Sequence, residues 1–197
     1  MKRMKTAFEK AMERVEQMDE PDKEEILEWK LIPVGQRLAG TYLKGGESIF
    51  ADLDKAETGD KPYLLKGIIE VLVKNLQIPK MQTQRETNIR VLTGIRKLLG
   101  DHPNSGKVLE HMEYVLEQFW QFGREQRAQA YEQLRAQIEQ QAYEVLSRQT
   151  GTSHQGMKIN VEAMPEFQQQ WMMISSQLSV PYETHLQDYK KQILELL

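Results

Sequence analysis

The chain reads as all-α, and three features of the sequence say so. Apolar residues recur at intervals of three and four along most of its length. Proline and glycine gather at a few junctions between those runs, and the period-two alternation of a strand never lasts more than a few residues. Within that class the sequence predicts an N-terminal multi-helix body over residues 1–104. One long central helix and a C-terminal helical return, residues 105–197, follow it as an antiparallel, coiled-coil-like stalk.

The elements follow in order. Met4, Ala7, Phe8, Ala11, Met12, Val15 and Met18 trace one apolar stripe on a first helix. A second begins in "DEPDKEE", with Asp19 as N-cap, Pro21 in the first turn, and Ile26, Leu27 and Trp29 opening its apolar face. Pro33 lacks a backbone donor, so this helix is expected to stop or kink near Ile32 and resume through Leu38, Ala39, Tyr42 and Leu43 until Gly45 and Gly46 close it. A short helix, "ESIFADLDKA", and the turn "ETGDKP" come next. Asp60 and Pro62 then announce a helix carrying Leu64, Leu65, Ile68, Ile69, Leu72, Val73 and Leu76. Pro79 ends it, and another runs through Ile89, Leu92, Ile95, Leu98 and Leu99 to Gly100.

The stretch "LGDHPNSGKV" invites comparison with a phosphate-binding loop. That loop needs four residues between its glycines, then lysine and a hydroxyl, and it follows a parallel strand. Here five residues separate Gly100 from Gly106, Val108 stands where the hydroxyl belongs, and the preceding segment has helical period. The stretch is a helix–helix turn: Gly100 caps one helix, Pro103 stops it, and Asn104 or Ser105 is available to cap the next.

From Ser105 to Gln149 there is no proline, and the residues are mostly good helix formers. At 1.5 Å per residue such a helix is roughly 65 Å long, more than one small domain covers. Val108, Met112, Val115, Phe119 and Phe122 make a dense seam flanked by Leu109, Leu116 and Trp120. It thins at Gly123, Ala128 and Ala130 and resumes at Tyr131, Leu134, Ile138, Ala142 and Val145. After the loop "TGTSHQGMKIN", the return carries Phe167, Trp171, Ile174 and Leu178, then Tyr182, Leu186, Tyr189, Ile193 and Leu196 at heptad spacing. Pro181 is expected to kink or split it, with Ser179 capping the second part. Two helices bury little by themselves, which points to self-association, a dimer first, along a seam of Tyr131, Leu134, Ile138, Val145, Trp171, Ile174, Leu178, Leu186, Tyr189 and Ile193. The adjacent Met172 and Met173 suit an adaptable apolar surface or core filler.

Composition narrows the function classes. The absence of cysteine excludes disulfides, thiolate metal sites and a cysteine nucleophile, and it fits a reducing, cytoplasmic setting. Glu9, Glu13 and Glu16 interrupt any signal-peptide core, and no run of about 20 apolar residues offers a membrane span. The net charge of −3 hides an uneven distribution. Residues 9–60 hold seven Lys or Arg against fourteen Asp or Glu, whereas residues 61–100 hold eight against two. Opposed blocks commonly serve as solvated faces or face one another. Read instead as a surface, Lys74, Lys80, Arg85, Arg90, Arg96 and Lys97 form a basic patch for phosphates, although no aromatic residues interleave with the charges.

Catalytic and metal chemistry find no anchor. His102, His111, His154 and His185 lack Glu-x-x-His or zinc-protease spacing, and Val108 and Tyr182 stand where a di-iron glutamate would. Ser153 and His154 are loop neighbours without an elbow motif. Glu110 and Glu113 share a helix face with nothing to desolvate them. No catalytic residue, cofactor or metal ligand is assigned.

The opening "KTAFEKAMERVE", the "LAGTYLKGG" segment and "INVEAMPEFQQQW" after a glycine-containing turn resemble a family of small bacterial helical proteins with no assigned activity. The resemblance implies a bacterial, soluble, helical protein and transfers no functional residues. The expected function is therefore that of a non-enzymatic, self-associating scaffold or adaptor for protein partners, with nucleic-acid binding through the basic helices as the alternative.

Overall fold

The computed structural model describes residues 22–46, 48–100, 102–150 and 159–197, and every regular element among them is helical. The helices are α1 (Lys23–Leu43), α2 (Ser48–Lys55), α3 (Lys61–Asn75), α4 (Gln82–Leu99), α5 (Ser105–Gln118), α6 (Arg124–Thr150) and α7 (Pro165–Leu194). A π-helical turn, Phe119–Gly123, joins α5 to α6, and a 3-10 turn, Val161–Ala163, precedes α7. The chain divides into two compact units, one ending at Ile68 and the other Ile69–Leu197, so the division falls inside α3. The stripe expected over Met4–Met18, the Asp19 cap and the Ser153–His154 pair lie outside the described residues.

In the first unit α1 is capped by Asp22, whose carboxylate accepts the Glu25 amide at 2.8 Å. Of the stop or kink expected at Pro33, the stop does not occur: α1 runs on through it. Proline withholds one amide from the carbonyl four residues back, and here that residue is Trp29, on the exposed side where water can serve it. The exposure of Trp29, 68%, is itself a correction to its expected inward place. At 3.6 residues per turn, Glu28, Ala39 and Tyr42 lie within about 40° of Gly35, whereas Trp29 lies about 120° and Ile26 about 180° away.

The Gly35 face is the one that meets α3. A Cβ on Gly35 would overlap the Leu64 carbonyl oxygen, and one on Gly67 would overlap the Ile32 carbonyl oxygen, so the two backbones touch. Lys66 Nζ holds Glu28 Oε1 at 2.7 Å alongside. Tyr42 meets Phe50 edge to face at 5.7 Å, and Ile49 is buried. As expected, Gly45 takes φ 108° after the last turn, and Gly46 N–H returns to the Thr41 carbonyl.

In the second unit Ile69, Leu72, Val73 and Leu76 are buried, and Asn88 on α4 clamps the strap that follows them. Its Nδ2 donates to the Gln77 carbonyl at 2.7 Å while its Oδ1 accepts the Gln77 amide at 3.2 Å. On α4 the buried stripe is Asn88, Val91, Leu92 and Ile95. Ile89, expected within it, lies about 100° around the helix from Asn88 and is 54% exposed. Gly100 ends α4 at φ 54°, as its place in the turn predicts. Neither Asn104 nor Ser105 caps α5 through its side chain; Ser105 is the first helical residue, buried, its Oγ donating to the His102 carbonyl at 2.9 Å.

From Ser105 to Thr150 the helix continues with one irregularity, the π turn, in which the Arg124 amide reaches back five residues to the Phe119 carbonyl. Gly123 makes room there, since a Cβ would stand 2.7 Å from the Phe119 ring. The wider turn swings Phe122 outward, so Phe119 and Gly123 are buried and Phe122, expected in the seam, is exposed.

Helix α7 returns antiparallel along this long helix. Tyr131 meets Phe167 and Trp171, Phe119 meets Tyr182, and His111 stacks on Tyr189, the partner number climbing as the first falls. Pro181 does not split α7, and Ser179 is no cap. The carbonyl that Pro181 leaves without a donor belongs to exposed Gln177, while Ser179 is small enough to be buried, its Oγ bonded to the Ser175 carbonyl at 3.0 Å.

Candidate functional site

The face of α7 that packs on the long helix is consumed within the chain. Phe167, Leu186 and Ile193 are buried, and Trp171, Ile174, Leu178 and Tyr189 are half-buried beside them. Around α6, Leu134, Ile138, Val161 and Phe167 form a small core, closed by Tyr131, Ile159, Met164, Trp171 and Ile174. Arg127 straps it, donating to the Ser175 carbonyl at 3.1 Å with its guanidinium 5.4 Å from the Trp171 ring. The Tyr131 hydroxyl, hydrogen-bonded to Glu162, has its pKa raised by that carboxylate and then by desolvation, so it stays protonated as a donor. Of the ten seam residues, Val145 is the exposed one, because it lies past the point where Ile159 and Met164 cover α6.

A second apolar stripe on α7 is left uncovered. Met173, Val180 and Leu194 stand at multiples of seven residues on the outer face, exposed by 51%, 50% and 39%, with Met172 beside them at 67%. Sequence reading singled out Met172 and Met173 but missed the stripe they begin, because the inner one has larger and more numerous apolar residues and the outer one is interrupted by Gln187. The available signal was the seven-residue interval itself. Among the described residues α6 packs on α7 and the adjoining turns, and α4 packs on α5.

The six residues of the basic patch do not act alike. Lys74, Lys80, Arg90 and Lys97 are exposed. Arg96 holds Glu113 at 2.9 Å and Arg85 holds Glu117 at 3.1 Å, so carboxylates of α5 neutralise two of the six cations. Arg85 and Arg124 also approach the Trp120 ring, at 5.4 and 4.4 Å. Glu117 accepts a further bond from Gln121 at 2.8 Å, and this together with Arg85 draws its carboxyl below the usual range. Between the two ion pairs lies a cleft of about 280 Å³ lined by Ile89, Leu92, Leu116 and Pro79. A larger groove of about 580 Å³ runs beside Ile138, Val145, Ile159 and Met164.

Among the described residues no group of three or more His, Asp or Glu side chains is arranged to hold a metal ion. No helix among them is long and apolar enough to cross a membrane. What the geometry offers is apolar and charge-compensated surface on rigid helices.

Comparison with known proteins agrees in giving no reaction. No curated protein matches the chain, and no solved structure does. One family model matches residues 50–195, which takes in α3 to α7 and nearly all of the helical architecture described above. The chain therefore belongs to the family described as "Family of unknown function (DUF6657)".

Proposed function

We propose that this protein is a non-enzymatic, self-associating scaffold or adaptor whose copies pair through the outer stripe of α7. The observation that carries the reading is the exposure of Met172, Met173, Val180 and Leu194 on a helix whose opposite face is already covered. From Met172 to Leu194 the stripe runs about 33 Å at 1.5 Å per residue, long enough for a helix–helix interface. An apolar stripe on a single helix is self-complementary, which suits a two-fold dimer. Methionine adapts its shape to a second surface at little cost. Charge offers little opposition: α7 itself carries Lys190 and Lys191 against Glu166, Glu183 and Asp188, so two copies meet along it with little net repulsion. The reading includes a cytoplasmic location, which the lack of cysteine suits.

Light scattering coupled to size exclusion tests it. The expected mass is twice the chain's 23.0 kDa. Val180→Lys, on the exposed face, is expected to return the mass to that of one chain with helicity unchanged by circular dichroism. A single-chain mass at every concentration, or an undiminished dimer in both Val180→Lys and Met173→Lys, would sink the proposal.

A further inference from the structure

The outer stripe of α7 begins with two open thioethers. Sulfur enters the chain only as ten methionines, for there is no cysteine. A peroxide therefore meets no thiolate, and thioether sulfur is what it can oxidise. Which methionines react then depends on which the oxidant can reach. Met112 is fully enclosed and Met164 is half-buried against the small core of α6. Met172 is 67% exposed, Met173 51% and Met81 59%. Of these three open side chains, two are adjacent and lie on the face assigned above to a second copy, while Met81 stands before α4, away from that stripe.

Oxidation would change the character of the face. The sulfur lone pair attacks a peroxide oxygen, the O–O bond breaks and an S–O bond forms. Water leaves, and the two electrons lost by sulfur are taken by the peroxide. An apolar side chain now carries a neutral, strongly hydrated acceptor. Pairing of two copies would have to strip water from it. Gln169 and Ser176, exposed and one turn to either side of Met173, could donate to the new oxygen, but a bond made there only replaces one made to water, whereas the apolar contact is lost outright.

We propose that Met172 and Met173 form a peroxide-responsive site: oxidation of their sulfurs to sulfoxides releases the α7 dimer, and pairing in turn shields them, so the oxidant traps the single chain. The inference deepens the self-association reading and rests on it for the dimer. Reversal needs electrons from outside the chain, which has no thiol of its own. Two thiols of a reductant would leave as a disulfide, and the sulfoxide oxygen as water.

Hydrogen peroxide added to the full chain tests the switch, with peptide mass mapping to locate the oxygen and light scattering coupled to size exclusion to read the mass. Four sulfoxides in the paired stripe should raise the dimer Kd about a hundredfold. The mass should fall from twice 23.0 kDa to that of one chain at the same concentration, with helicity unchanged and Met112 unoxidised. The double variant Met172→Leu/Met173→Leu, close in size and still apolar, should remain a dimer with and without peroxide although Met81 still oxidises. Met172→Gln/Met173→Gln should weaken the dimer with no oxidant present. In Val180→Lys both sulfurs should oxidise faster than in the native dimer, with the Met81 rate the same. A dimer that persists when both sulfurs carry oxygen, dissociation of the leucine variant by peroxide, loss of helicity along with the dimer, or equal rates in Val180→Lys and the native chain would overturn the switch and leave self-association standing. A single-chain mass before any peroxide is added would sink self-association, and the switch with it.

Discussion

Helices α5 and α6 are two halves of one continuous rod, yet they live in different surroundings. Helix α5 is packed on one side by α4 and on another by α7, and Val108, Leu109, Met112 and Leu116 are buried in consequence, with Phe119 just beyond. Helix α6, nearly twice as long, is packed by α7 and the adjoining turns, and buries Leu134 and Ile138. Backbone hydrogen bonding is the same in both. What differs is how much apolar surface each turn removes from water, and helices in proteins owe most of their stability to such packing. The rod is therefore a helix with a firm half and, among the described residues, a more open half.

The largest effect that tests this contrast comes from truncating the firm half. Phe119→Ala should cost about 3–5 kcal/mol and Met112→Ala about 2–5, because both side chains are fully enclosed and the cavity cannot collapse against three helices. Leu134→Ala should fall near the lower end of that range. Urea unfolding gives the magnitudes, and hydrogen exchange gives the pattern: in Leu134→Ala the amides of 124–150 should lose protection while those of 105–118 keep it. Equal loss over both halves would show that the rod unfolds as one unit and that the contrast has no energetic content.

The smaller contact that holds the firm half against its neighbour is Asn88. Asn88→Ala leaves the Gln77 amide and carbonyl without their partners and should cost about 1–3 kcal/mol. Asn88→Asp restores an acceptor for the amide but no donor for the carbonyl, so it should recover part of the loss at most. The comparison of the two by urea unfolding separates the bond from the burial.

How much of this was legible in the sequence depends on which force decided each feature. The all-α class, the Gly100 turn, and the continuous helix from 105 to 150 followed from period and from where glycine and proline stand, which are local properties. The inward residues of α7, Phe167, Trp171, Ile174, Leu178, Leu186, Tyr189 and Ile193, were legible for the same reason. Whether Pro33 and Pro181 end their helices or leave them continuous was not legible, because the cost depends on whether the carbonyl four residues back faces water, and that is a tertiary fact. Phe122 misled because a π turn rotates everything after Phe119, and no residue pattern announced that turn except Gly123. The outer stripe of α7 and the cleft beside Ile89 were hidden by a simpler cause: a stripe at helical spacing looks the same whether it is covered or bare. The stripe's hint was its seven-residue interval, and the cleft's was Asn88, a polar residue in register with Leu92 and Ile95.

The smallest effect concerns the ion pairs that edge the cleft. Glu117 is drawn below the usual carboxylate range first by the Gln121 hydrogen bond and then by Arg85. Its folded pKa is thus lower than its unfolded one, so the unfolded chain binds the proton more readily. The stabilisation is fully present above the unfolded value and is lost as pH falls through the folded value, below 4.5. Glu117 is well solvated, which makes the contribution small and sensitive to salt. Glu117→Gln should therefore flatten the acid limb of a stability-against-pH curve slightly at low ionic strength, with little change at pH 7.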